Sequence, residues 1–168
     1  YRYSIVGSSI TSAHHDDPLN EAERLTIFAK LQGRERLIEM HNKAWDELWK
    51  SDIEIVAAGP SFTAEVAQNQ QDIHSMLYHL YSFTREGTAL SPSPMGLSGL
   101  GYNGHVFWDT ELWMFPSLLV LHPEIAKSMV EYRYQRLEAA KRNAFANGFK
   151  GAMFPWESAE TGVEETPV

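Results

Sequence analysis

The chain has 168 residues, with 14 Lys and Arg against 22 Asp and Glu, a formal net charge of −8, and no cysteine. That length fits one domain or a piece of a larger one. The acidic balance excludes nucleic acid and anionic membrane as main partners, because both require clustered cations. Without cysteine there is no disulfide, no thiolate nucleophile and no zinc finger.

A hydrophobic share of 43% supports a packed core in a soluble globular chain. No apolar run reaches the roughly 18–20 residues of a membrane span, and no basic-then-apolar leader is present. Nothing in the sequence points to a compartment. The chain opens on Tyr1 rather than Met and stops at Pro167-Val168 within a polar stretch. The expectation is a cut-out of a larger protein, with neither terminus a natural boundary.

Taken in chain order, residues 1–10 begin by alternating, so that Tyr1, Tyr3 and Ile5 share one face of a short strand. A lone strand cannot satisfy its own backbone, so its partner is expected outside these residues. Asp17-Pro18 starts a helix, an acidic cap followed by proline in the first turn. That helix runs to Gln32 and ends at Gly33. A second follows, with Leu37, Ile38, His41, Ala44, Trp45, Leu48 and Trp49 in one apolar stripe and His41 as a core histidine. Ser51–Ile55 breaks the period as a short extended piece.

A third helix is predicted over about 62–85, with Val66, Ile73, Leu77, Leu80 and Tyr81 inward. Residues 86–106 are rich in glycine and proline, a loop longer than the ~12–15 residues usual in compact domains. Thr110–Leu121 then reads as an apolar helix bent at Pro116. Pro123 opens a long amphipathic helix to about Asn147, closed by Gly148, and the tail from Phe149 is loop-like. Helix following helix points to an all-α array, not an alternating α/β fold.

Several constellations bear on chemistry. Gly99-Leu-Gly101-Tyr-Asn-Gly104 has the G-x-G-x-x-G spacing, but Leu90-Ser-Pro-Ser-Pro94 upstream cannot form the buried strand that a dinucleotide site requires. His14-His15-Asp16-Asp17 holds metal-ligating side chains, yet adjacent residues seldom converge on one ion, and a polar turn with a helix cap accounts for them. His74 and His79, five apart, do not share a helix face. Two aromatic–acid pairs stand out, Trp108-Asp109 and Trp156-Glu157. A sugar offers an apolar ring face and a rim of hydroxyls, so its sites combine indole platforms with carboxylate acceptors. The same residues also suit ordinary core aromatics with acids complementing a helix dipole. The acids near the end (Glu157, Glu160, Glu164, Glu165) suit a solvated loop as well.

The run Gly101-Tyr-Asn-Gly-His-Val-Phe-Trp-Asp-Thr-Glu111 resembles the hallmark motif of glycoside hydrolase family 65. So do His41–Trp49, Ser51–Ile55, the Gln70-Gln71 helix, Pro123–Ala126, Glu131–Leu137, Gly151–Ser158 and Gly162–Glu164, in the same order along nearly the whole chain. That family includes maltose, trehalose and kojibiose phosphorylases and a glucosidase acting on glucosylgalactosyl-hydroxylysine. The resemblance implies an N-terminal β-sandwich, linker helices, and a catalytic barrel of six helical hairpins. Residues 1–10 would be the end of the β domain or the connection from it, 11–60 the linker helices, and 61–168 the first part of an (α/α) barrel. Carried over by motif, Trp108 and Asp109 would line the glucosyl subsite, and Trp156 and Glu157 would lie in the sugar cleft.

The resemblance has a gap. The family's general acid is a glutamate in a Gly-Pro-Asp-Glu-type motif, which these residues do not contain. An inverting enzyme needs that acid and an attacking water or phosphate. The expectation is therefore a chain that supplies pocket walls and is inactive alone. Leu112–Ser117 and Leu121–Glu124 resemble the glucosidase branch more than the phosphorylases, which favours hydrolysis. No cofactor or metal is expected, and inorganic phosphate would be a co-substrate only in a phosphorylase. The expected partners are an α-glucoside and either the rest of a parent chain or a second copy covering an open barrel edge. A non-catalytic helical carbohydrate-binding module is the alternative of another class.

Overall fold

A computed structural model describes residues 15–56, 64–97 and 99–166; the strand expected at 1–10 and the first turn of the third predicted helix lie outside these. The chain divides between Lys50 and Ser51 into two compact units.

The first unit carries α1, Pro18–Leu48. Asp17 caps it by accepting the Asn20 N–H at 3.0 Å, so at least this acid of the His-Asp cluster works as a helix cap. Gly33 interrupts the run with φ 74° and ψ 168°, a conformation open to glycine and costly for residues with a Cβ. Two helices therefore meet end to end at Gly33, as the sequence predicts. The burial expectation fails. No residue of α1 is buried, and His41 is exposed with its ring edge-on to Trp45 at 6.3 Å. An apolar stripe is buried only against a facing layer, and the described residues of this unit provide none.

The second unit holds α2 (Ala64–Ser82), α3 (Phe115–Leu121), α4 (Pro123–Gln135) and α5 (Leu137–Ala146). On α2, Leu77 and Tyr81 are buried and Val66, Ile73 and Leu80 half-buried, which is the predicted inward stripe. Gln70 clamps the extended piece before α2. Its side-chain carbonyl accepts the Ile55 N–H at 2.7 Å and its amide donates to the Ile53 carbonyl at 2.8 Å.

The segment after residue 86 is irregular as expected, save a 3₁₀ turn at Gly101–Gly104. Thr110, fully buried, anchors this loop by donating its hydroxyl to the Pro92 carbonyl at 2.9 Å. Thr110–Met114 then forms a π-helical turn, closed by the Phe115 N–H on the Thr110 carbonyl. Pro116 has no N–H to donate, so the ladder is already interrupted next to this wider turn.

The long helix predicted from Pro123 is two helices, broken at Arg136 (φ −103°, ψ 11°). Arg136 Nη1 donates to the Tyr132 carbonyl at 3.0 Å while its Nε reaches the Ala159 carbonyl at 3.2 Å. Its guanidinium also covers the Tyr132 ring at 3.9 Å. The side chain thus competes for a carbonyl of the helix ladder and ties the break to the tail. α5 closes as the sequence predicts, with the Gly148 and Phe149 N–H groups on the carbonyls of Phe145 and Ala144 at 3.1 and 2.9 Å. The buried side chains Leu118, Ile125, Ala126, Met129, Tyr132, Ala139, Ala140 and Ala144 place the core where α3, α4 and α5 meet. Among the described residues no strand forms; Ser158 makes isolated bridges to Val106 and Glu164.

Candidate functional site

The two aromatic–acid loops are zipped together. Val106 N–H donates to the Ser158 carbonyl at 2.8 Å, and Ser158 N–H donates back to the Val106 carbonyl at 3.0 Å. Val106 precedes Trp108 by two residues, and Ser158 follows Trp156 by two. Antiparallel pairing therefore brings both indoles to one side. Beneath the bridge, the Tyr132 hydroxyl donates to the Ala159 carbonyl at 2.6 Å and meets Ser158 Oγ at 2.8 Å. Asn143 and the Met153 N–H, bonded to the Met153 and Ala140 carbonyls at 3.0 and 2.9 Å, hold the tail along α5.

Trp108 and Trp156 line a groove of about 610 Å³ with Glu111, Arg133, Phe154 and Glu164. Both indoles are largely free, 47% and 61% exposed. Phe107 meets Trp156 edge-on at 6.4 Å, and Trp113 lies tilted beside Trp108 at 6.1 Å. Indoles that line an open groove with about half or more of their surface exposed offer apolar platforms to a ligand. A second cavity of about 300 Å³ lies under the glycine loop, lined by Phe83, Ser91, Leu97 and Met129 among others. Its lining carries one charged side chain, Arg85, whose Nη1 is taken by the carbonyls of Tyr81, Ser82 and Thr84.

The two acids of the pairs sit differently. Asp109 is half-buried at the start of the π turn, makes no side-chain capping bond, and is not part of the groove lining. Glu157 is 6% exposed and also outside the lining, with Oε1 held by His105 Nδ1 at 2.8 Å. A carboxylate only accepts, so Nδ1 carries the proton of that bond. The structure thus brings Trp108 and Trp156 to one groove and sets Asp109 and Glu157 beside it.

Glu164 is the acid that organises the Trp156 loop. Its Oε2 accepts the Trp156 N–H at 2.8 Å, and its Oε1 accepts the Glu157 N–H at 3.0 Å and the Thr166 hydroxyl at 2.7 Å. Burial alone would raise its carboxyl, but the Thr166 hydroxyl and the backbone N–H groups of Glu157, Trp156 and Thr166 outweigh this and hold it below the usual carboxylate range. In the sequence Glu164 suits a solvated acidic loop and also falls in the family-like Gly162–Glu164 run, but nothing in its spacing marks it as a loop clamp. Arg133 and Glu111, paired across 22 residues, carry no local signal either. Among the described residues no cluster of three or more His, Asp or Glu side chains is placed to hold a metal. None of the helices among them is long and apolar enough to cross a membrane.

Helices carrying two aromatic loops on one groove define an all-α scaffold of the class expected for part of an (α/α) barrel. The glycosyl hydrolase family 65 central catalytic domain matches residues 74–168, more than half of the chain, and the chain belongs to that family. It is 73% identical over all 168 residues to the kojibiose hydrolase of Mucilaginibacter mallensis, covering 24% of that relative. It is 43% identical over 134 residues to the kojibiose phosphorylase of Halothermothrix orenii, which is 79% of this chain and 16% of that protein. Among solved structures it resembles the "Putative kojibiose phosphorylase from human microbiome", with TM-score 0.70 and 26% identity over 90% of this chain and 20% of that one. The chain spans about a quarter of the length of the kojibiose hydrolase it matches throughout.

Proposed function

We propose that these residues form the glucosyl-binding wall of an inverting α-glucoside hydrolase acting on a kojibiose-type disaccharide. The observation that carries the reading is the Val106–Ser158 bridge, which sets Trp108 and Trp156 on one groove. In this reading the indoles stack on sugar faces, the half-buried Asp109 beside the groove accepts a sugar hydroxyl, and Glu157, 6% exposed and bonded to His105, supports the cleft wall without meeting the sugar directly. Asp109 suits the role because it forms no cap to the turn it begins. Residues 11–60 act as linker helices and 61–168 as the first part of the barrel, with 1–10 leading in from a β domain.

The reaction needs groups these residues do not supply. An acid protonates the glycosidic oxygen, the bond from that oxygen to the anomeric carbon breaks, and water adds from the opposite face as its proton passes to a base. No Gly-Pro-Asp-Glu-type motif occurs in the sequence, so the 168 residues alone are proposed to be inactive. Hydrolysis is favoured over phosphorolysis by the 73% identity to a kojibiose hydrolase against 43% to a phosphorylase. Phosphorolysis remains the second reading, since the phosphorylase match spans most of the same residues.

The test is Asp109→Asn in the full-length enzyme carrying this chain. The expected result is a loss of kcat/KM of about a hundredfold or more, as for removal of a charge-assisted contact to the reacting sugar. Unchanged turnover and glucose affinity would refute the site. Phosphate dependence separates the two reactions: turnover without phosphate supports hydrolysis, and strict dependence on it supports phosphorolysis.

A further inference from the structure

We infer that Arg133 is a positioning residue of the groove, a side chain that acts beside the Val106–Ser158 bridge and the His105–Glu157 bond to set the Trp108 loop against the Trp156 loop. The inference rests on the sugar-groove reading above and adds a residue to it. Arg133 projects from α4 with its side chain 15% exposed. Its Nε and Nη2 meet the two carboxylate oxygens of Glu111 at 2.6 and 3.1 Å, a two-pronged pairing. Nη2 also donates to the Phe107 carbonyl at 3.3 Å, one residue before Trp108. On the other side the guanidinium lies 5.8 Å from the Phe154 ring centre, two residues before Trp156. One planar cation thus touches the backbone of one aromatic loop and a ring of the other.

Two considerations separate positioning from ordinary stabilisation. The Glu111 side chain is 42% exposed, so solvent screens the pair in part, and its two-pronged geometry fixes where the guanidinium plane lies as well as holding it. Both indoles are more exposed than buried or nearly so, at 47% and 61%, so burial of the rings does little to fix them. Their placement is inherited from their loops, and Arg133 is bonded to one loop and stacked near the other. Only arginine offers this combination of a planar fork and a stacking face; lysine keeps the charge and loses both. A sugar platform that shifts loses part of its stacking contact with the sugar's apolar face, which weakens binding.

The experiment measures kcat and KM for the α-glucoside in the full-length enzyme, for Arg133→Met, Arg133→Lys, Glu111→Gln and the Arg133→Met/Glu111→Gln pair. Trp108→Ala and Trp156→Ala are measured beside them. The expected result is a KM raised about tenfold in Arg133→Met and about fivefold in Arg133→Lys, with kcat within about twofold of wild type. Glu111→Gln should raise KM by itself and add nothing to Arg133→Met. A purely structural role would instead lower the melting temperature and the active fraction, reducing apparent kcat at constant KM, and that result overturns the proposal. If Arg133→Met does not fold, Arg133→Lys decides by the same criterion. Should the tryptophan variants leave KM unchanged, the sugar-groove reading itself falls. Should they raise KM while the Arg133 variants do not, the groove stands and the positioning role falls.

Discussion

At the scale of single residues, Glu164 joins side-chain chemistry to loop order. Its carboxylate accepts the N–H groups of Trp156 and Glu157, so the charged form is the one the fold prefers. Because its folded value is lowered, its contribution is complete above the ordinary carboxylate range of about pH 4 and is lost as pH falls through the folded value. Glu164→Gln keeps one acceptor and removes the charge. We expect it to destabilise the chain by about 1 kcal/mol at neutral pH and to shrink the acid-induced loss, read from thermal melts at pH 7 and pH 3. Equal acid sensitivity in both proteins would contradict this. Tyr132→Phe removes a hydroxyl shared by Ser158 and Ala159 at a buried position and should cost about 1–3 kcal/mol, measured by denaturant unfolding. The two indoles were legible in the sequence because Trp108-Asp109 and Trp156-Glu157 repeat one pattern. The His105–Glu157, Arg133–Glu111 and Glu164–Trp156 contacts were not, because each joins residues far apart in the chain or hidden in an unremarkable charged stretch.

At the scale of elements, local signals that act through the backbone read true. Asp17-Pro18, Gly33 and Gly148 mark the starts, breaks and ends where the helices have them. What failed depended on tertiary partners. The break at Arg136 follows from its side-chain bonds to Tyr132 and Ala159, which no helix propensity encodes. The exposure of His41 follows from the lack of a facing layer within its unit, which an amphipathic pattern cannot reveal. The glycine loop gives the sharpest test at this scale. Gly96 has φ +55°, and a Cβ there would stand 2.3 Å from the Phe83 ring. Gly96→Ala combines backbone strain with overpacking, and a loss of about 2–4 kcal/mol is expected in equilibrium unfolding. A neutral Gly96→Ala would mean that the loop is not held in this conformation.

At the scale of the whole molecule, the second unit leaves apolar side chains uncovered. On α3 and α4, Val120 is 81% exposed, Tyr134 74%, Val130 52% and Leu119 51%. Soluble monomers rarely present wide apolar faces, so under the proposed function these positions pack against the rest of the enzyme. The 168-residue chain alone should then self-associate, with sedimentation coefficients that rise with concentration. A monodisperse monomer that binds no apolar dye would contradict that. The central claim, that these helices wall the glucosyl site of an inverting α-glucosidase, is tested most directly by following the α-glucoside disaccharide with the full-length enzyme by proton NMR in phosphate-free buffer. The account predicts that β-glucose first accumulates above its equilibrium share and then mutarotates, and that Asp109→Asn slows this appearance about a hundredfold or more. Release of α-glucose first, or no cleavage with or without phosphate, would contradict it.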